Sequence, residues 1–206
     1  MKRIGLLGGS FNPAHAGHRH ISLEALRRLD LDEVWWLVSP QNPLKSRAGM
    51  ASLGARLASA EAAARHPRIR PMIIEAELGT RYAVDTVTLL KRRMPDKRFI
   101  WLMGADILPE LHRWQRWRAF AAAIPIAVLA RPGYQGPARR SPAMAWLRRW
   151  RQPVTQARHW TGWTPPAIII LDIRTAPESA TAIRAADPDW ARRILTRPKP
   201  NLPETP

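Results

Sequence analysis

GGSFNPAHAGH, residues 8–18, follows the apolar run of residues 4–7 and leads into a segment of helical period. After it, Ile21, Ala25, Leu26 and Leu29 recur at helical spacing, with Arg27 and Arg28 on the opposite face. Residues 2–7 therefore read as a strand that ends in a glycine-rich turn and then enters a helix. A strand, glycine turn and helix at the start of a chain are the opening of an α/β unit, and the rest of the sequence repeats that rhythm.

Residues 34–38 form a second apolar run of strand length. Residues 51–65 are alanine-rich and predict a helix that ends before Pro67, and residues 69–76 read as a third strand. Val84, Val87, Leu90 and Met94 mark another amphipathic helix, and residues 99–103 and 126–130 are two more strands. Residues 132–166 break the pattern with six prolines, three glycines and four tryptophans, and read as an insertion carrying a short helix near residues 144–150. Residues 167–173 resume as a sixth strand. A helix near Thr181 follows, and Asp187-Pro188 supplies an N-cap and first-turn pair for another. The expected architecture is α/β: one doubly wound, mostly parallel sheet in a single domain over residues 1–196. The proline-rich segment 197–206 is expected to be a disordered tail. In such a sheet the ligand crevice lies at the carboxyl ends of the strands.

Composition narrows the function classes. The 206 residues contain no cysteine, which excludes a disulfide framework, a thiolate zinc site and a cysteine nucleophile. No apolar stretch approaches the ~18 residues of a spanning helix, and the N-terminus lacks the apolar segment of a signal peptide, so a cytoplasmic protein is expected. Lys and Arg number 33 against 16 Asp and Glu, a net charge of +17, which favours anionic partners. Residues 139–158 hold six of those arginines and no acid, so the global charge and a phosphate site can be separate features.

The turn at residues 8–18 lacks the lysine of a P-loop and is out of register with the dinucleotide fingerprint. Its glycines still let backbone N–H groups approach an anion at a helix start, where the dipole also favours negative charge. His15 and His18, three apart, can face one anion together. Their other readings are helix cap, surface group or zinc pair, although no third ligand stands nearby, and no metal site is assigned to the protein itself.

GGSFNPAHAGH resembles the signature of the H-x-G-H nucleotidyltransferases, and its Phe-Asn-Pro variant resembles bacterial nicotinate-nucleotide adenylyltransferases. Four further segments are similar to that family. SPQNPLK, residues 39–45, is like its proline-rich loop ending in a basic residue, with Leu44 where histidine is commoner. RYAVDTV, residues 81–87, is like a segment at the edge of the nicotinate site, with Ala83 where threonine is common. MGADILPELHRW, residues 103–114, matches closely. ESATAIR, residues 178–184, resembles a second nucleotide motif, from which Glu178 and Ala180 depart.

The resemblance implies a Rossmann-like nucleotidyltransferase fold and a reaction joining ATP to nicotinate mononucleotide, with Mg²⁺ accompanying ATP. It implies that ATP meets Gly8, Gly9, Ser10, Phe11, His15, His18, Gly104, Asp106, Ser179, Thr181 and Arg184, with His15, His18, Lys45 and Arg184 holding the triphosphate. Asn12, Lys45, Tyr82, Ala83, Thr86 and Trp114 are then the mononucleotide's neighbours, Trp114 stacking on the pyridine ring. A carboxylate at a strand end suits ribose hydroxyls, and an indole face suits a pyridinium. Two other readings stand beside this one. The first keeps the chemistry and changes the acceptor to nicotinamide mononucleotide or phosphopantetheine. The second makes the protein a single-stranded nucleic-acid module gripped by the arginines with Trp146, Trp150, Trp160 and Trp163.

Overall fold

The computed structural model describes residues 1–40, 49–130, 140–173 and 179–196. Six parallel strands form one sheet: β1 (Lys2–Gly9), β2 (Glu33–Val38), β3 (Ile69–Met72), β4 (Lys97–Gly104), β5 (Ile126–Ala130) and β6 (Ile168–Asp172). Their order is β3-β2-β1-β4-β5-β6. The chain winds outward from β1 in one direction and then from β4 in the other, so the crevice of a doubly wound sheet falls between β1 and β4. Register is continuous there, from Lys2 opposite Lys97 to Leu7 opposite Leu102.

Side chains alternate across this sheet, and each face carries its own core. Ile4, Leu6, Trp35, Leu37, Phe99, Trp101, Ile126 and Val128 face one way. They are covered by α4 (Ala83–Arg93), α5 (Trp117–Ala123) and α6 (Pro142–Leu147). Leu7, Val34, Trp36, Val38, Ile100, Leu102, Ala127 and Leu129 face the other way. There α1 (Ala16–Arg28), α2 (Leu53–Ala64) and a three-ten segment, Val154–Gly162, complete the layer. Near-continuous apolar strands are what burial on both faces of a parallel sheet requires.

The third strand is shorter than the sequence suggests. It ends at Met72, and Ile74–Glu77 forms one helical turn, α3, that buries Ile74 and Glu75 side by side. Backbone pairing with β2 stops at Met72 and the chain turns into a helix at Ile74, so the apolar run extends past the strand it contains. Pro71 pairs with Trp36 on the sheet's edge strand, where a missing N–H costs no ladder bond.

The arginine-rich region is built into the domain. Ala143, Met144 and Leu147 of α6 lie in the first core, and Trp160 lies in the second. The Trp160 indole N–H donates to the Leu29 carbonyl at 2.9 Å. Trp146 packs between Trp117 and Trp150, with ring centroids at 5.2 and 4.5 Å. Arg148, Arg149, Arg151 and Arg158 are exposed, so the tryptophans attach the segment and its arginines meet solvent. After β6, two short helices, α7 (Ala180–Ala186) and α8 (Trp190–Thr196), close the described chain.

Candidate active site

A cleft of about 570 Å³ opens at the carboxyl ends of β1, β2 and β4. Its walls include Gly8, Gly9, Ser10, Phe11, Asn12, His15 and His18 from the first turn, Gly104 and Asp106 after β4, and Tyr82, Ala83, Trp114, Ser179 and Ala180. Segments up to 172 residues apart thus meet in one place, and most sequence-based candidates share it.

The histidines are helix-capping residues as well as cleft residues. His15 is the N-cap of α1, and its Nδ1 accepts the Gly17 N–H at 3.1 Å. His18 Nδ1 accepts the His15 N–H at 3.3 Å, closing a reciprocal capping box built from two imidazoles. A ring nitrogen that accepts a hydrogen bond carries no proton, so each neutral ring bears its proton on Nε2. The rings sit 4.0 Å apart, and His18 also rests on Phe11 at 4.8 Å. Capping therefore fixes both tautomers and turns two Nε2–H groups into oriented donors.

Phe11 anchors this turn. Its backbone is left-handed, with φ of 47°, and its ring stacks on Trp36 at 5.1 Å, buried to 2% exposure. Burying a large ring offsets the cost of a conformation that non-glycine residues avoid. Gly8 is needed for a different reason: a Cβ there would stand 2.7 Å from the Trp101 ring.

At the other end, Trp101 meets Trp114 edge-on at 5.9 Å, and Phe120 lies 5.4 Å from Trp114. Half-buried Trp114 is thus gripped from behind while it lines the cleft. Asp106 folds its carboxylate back over Gly104, where any Cβ would overlap Oδ1. The glycine makes room for the acid.

These arrangements coincide with a family match. The cytidylyltransferase-like family model matches residues 6–186. A protein of Erythrobacter litoralis named "Probable nicotinate-nucleotide adenylyltransferase" is 58% identical over 191 residues, covering 93% of this chain and 87% of its own. A Parvibaculum lavamentivorans protein of the same name is 56% identical over 182 residues, covering 88% and 90%. The chain belongs to the nicotinate-nucleotide adenylyltransferase family. It is accordingly a nucleotidyltransferase. The solved Plasmodium falciparum nicotinic acid mononucleotide adenylyltransferase complexed with NaAD has the same fold, with a TM-score of 0.64 at 14% identity over 90% of this chain and 83% of that one.

Several candidate residues of this adenylyltransferase-family chain also make contacts within the protein. The Asn12 side chain is buried and committed to the protein, its Nδ2 donating to Gly49 O at 2.9 Å and its Oδ1 accepting Ala51 N–H at 3.1 Å. What Asn12 offers α7 is its carbonyl, which accepts Arg184 Nη1 at 2.6 Å. Arg184 and Thr181, 3.3 Å apart, stand beside the cleft wall and pin α7 to the glycine turn. Ser179 caps α7 by accepting the Ala182 N–H at 3.2 Å. Thr86 is fully buried behind the wall, its hydroxyl paired with Thr80 at 2.8 Å and with the Tyr82 carbonyl at 3.3 Å. Lys45, Leu44 and Glu178 lie outside the described residues.

Six charged or polar cleft residues are absent from the sequence-based candidates: Ser39, Glu75, Arg81, Glu110, Arg113 and Gln115. Arg81, Glu110 and Arg113 sit inside quoted motif segments, Arg81 just before α4 and the other two on the three-ten turn Leu108–Arg113, and their charge within those motifs was the available signal. Glu75 gave none, because its segment reads as strand. Burial pushes its carboxyl up to about 7, against an opposing hydrogen bond from the Ser39 side chain. No helix among the described residues is long and apolar enough to cross a membrane.

Proposed function

We propose that this protein joins ATP and nicotinate mononucleotide, forming nicotinate adenine dinucleotide and pyrophosphate, a step of NAD synthesis. The observation that carries this reading is the shared cleft, which has imidazole donors and glycine backbone at one end and a supported indole with a carboxylate at the other. Family membership supplies the substrate class.

In the proposed reaction an oxygen of the mononucleotide's 5′-phosphate bonds to the α-phosphorus of ATP as the bond to the β-phosphate oxygen breaks. The attacking phosphate is already ionised near neutral pH, so no general base is needed. Catalysis consists of positioning and of stabilising charge that moves onto pyrophosphate. His15 and His18 donate Nε2–H groups toward the triphosphate, and the N-terminus of α1 adds its dipole. Arg184 keeps α7 against the turn, and Lys45 is assigned to the phosphates from its motif. Asp106 takes ribose hydroxyls, and Trp114 presents its face to the pyridine ring.

Among the described residues no group of three or more His, Asp or Glu side chains converges on a metal position. Asp106 and Glu110 nonetheless line the cleft with hard oxygen donors of the kind that suit Mg²⁺, whose usual partners are substrate phosphates and water. Mg²⁺ arriving on the triphosphate would neutralise charge on the leaving pyrophosphate.

Pyrophosphate release is the test, measured with ATP and Mg²⁺ plus nicotinate mononucleotide, nicotinamide mononucleotide or phosphopantetheine in separate reactions. Release with the nicotinate compound in clear excess over the others is expected. Equal rates with the acid and the amide refute the acid preference, and release with phosphopantetheine alone refutes the acceptor class.

A further inference from the structure

Arg56 is the most deeply buried charged side chain near the cleft, 2% exposed, and it does not line the cleft itself. It projects from α2, whose N-cap is Ser52. No carboxylate among the described residues pairs with it. Its partners are four backbone carbonyls: Nε donates to Ala51 O at 3.0 Å, Nη1 to Ser10 O at 2.9 Å and Ser39 O at 2.6 Å, and Nη2 to Pro40 O at 3.0 Å.

Those carbonyls belong to three separate stretches of chain: the glycine turn, the exit from β2 and the entry to α2. The Ser39 N–H also donates to Gly9 O at 3.0 Å, so Arg56 completes a joint between the ends of β1 and β2. Ser39 also carries a side-chain hydrogen bond to Glu75, which ties that residue of the cleft wall to the joint. Burying an unpaired guanidinium is costly unless its donors are all satisfied, and a planar fork can meet carbonyls in several directions at once. An apolar residue of similar volume would pack without that cost. A cation kept here is therefore explained by what it holds, which is the height of the Gly8–Ser10 backbone under the phosphate end of the cleft.

Resting on the adenylyltransferase reading above, we propose that Arg56 is a positioning residue for nucleotidyl transfer, holding the glycine turn through the Ser10 carbonyl so that its backbone N–H groups meet the triphosphate. It touches no substrate and acts through Ser10 and Gly9. Its loss should fall on ATP and spare the acceptor, whose ring site at Trp114 hangs on Trp101 and Phe120.

Arg56→Met and Arg56→Lys test this in the full chain, with folding checked by circular dichroism and thermal melting. Steady-state pyrophosphate release is read against each substrate, and the Kd of ATP is read by calorimetry. For Arg56→Met, kcat/KM for ATP should fall about a hundredfold and the ATP Kd should rise at least tenfold, with the acceptor's KM within twofold of wild type. Arg56→Lys keeps the charge, loses the fork, and should fall between. Folded variants with ATP Kd and kcat within twofold of wild type overturn the proposal, as does an equal rise in both KM values. Failure of both variants to fold also overturns it, because the clamp then serves the fold alone. If wild-type protein releases no pyrophosphate with any acceptor, the adenylyltransferase reading fails, while the ATP Kd still decides the role of Arg56.

Discussion

Replacing Glu75 by glutamine should make the protein more stable above neutral pH and flatten the pH dependence of its unfolding. Glu75 is 6% exposed on the wall of the cleft, and burial lifts its carboxyl from an ordinary 4.5 to about 7 against the opposing Ser39 hydrogen bond. The folded state thus holds a proton that the unfolded chain releases more readily. Below pH 4.5 both states are protonated and the group contributes no penalty. Between 4.5 and 7 the unfolded chain ionises first, so stability falls as pH rises, by up to 1.36 kcal/mol per pH unit. Above 7 both states are ionised and the full penalty, about 3 kcal/mol from the 2.5-unit gap, is in place. Glutamine copies the shape and hydrogen-bonding of the protonated acid without the titration. Urea unfolding of wild type and Glu75→Gln from pH 5 to 8.5 measures the difference directly. The two stability curves should converge toward pH 5 and separate by about 2–3 kcal/mol at pH 8, with the variant the more stable. Parallel curves across this range would show that Glu75 titrates normally and that its burial has no electrostatic consequence.

Three other outcomes follow from the geometry. His18→Ala should lower kcat roughly a hundredfold or more, as loss of one aimed donor does in other enzymes. Opening the capping box should also cost about 1 kcal/mol of stability, and an unchanged kcat in pyrophosphate release would remove His18 from the mechanism. Gly104→Ala should leave the melting temperature nearly intact while weakening nucleotide binding, because the Asp106 carboxylate must vacate the space the new Cβ takes; unaltered ATP and mononucleotide KM values would show that the carboxylate's resting position is irrelevant. Trp160→Phe removes the donor to the Leu29 carbonyl inside the second core and should cost about 1–3 kcal/mol in urea unfolding, with kcat retained; no loss of stability would mean that this bond does not attach the arginine-rich segment.

Much of the fold was legible because its signals are local. Strand runs, helical periods and the glycine turn each occupy under about fifteen consecutive residues, and a parallel sheet with crossover helices leaves that alternation in the sequence. The third strand is shorter than its apolar run for the same reason: such a run carries no mark of where backbone pairing stops, and α3 begins two residues after Met72. The candidate site was legible as far as its motifs reached, and most of their residues share the cleft.

What the sequence by itself determined was the doubly wound layout, the placement of chemistry at the strand ends and the family to which the chain belongs. Which atoms those residues turn to the ligand and which to the protein was decided by tertiary structure. Asn12 reads as a ligand, yet its amide closes on Gly49 and Ala51 and its carbonyl meets Arg184, 172 residues away. Arg56 reads as one more cation in a basic chain, yet it joins carbonyls 16, 17 and 46 residues distant. Backbone carbonyls are the same at every position, so no pattern of side chains announces which of them a buried guanidinium will find.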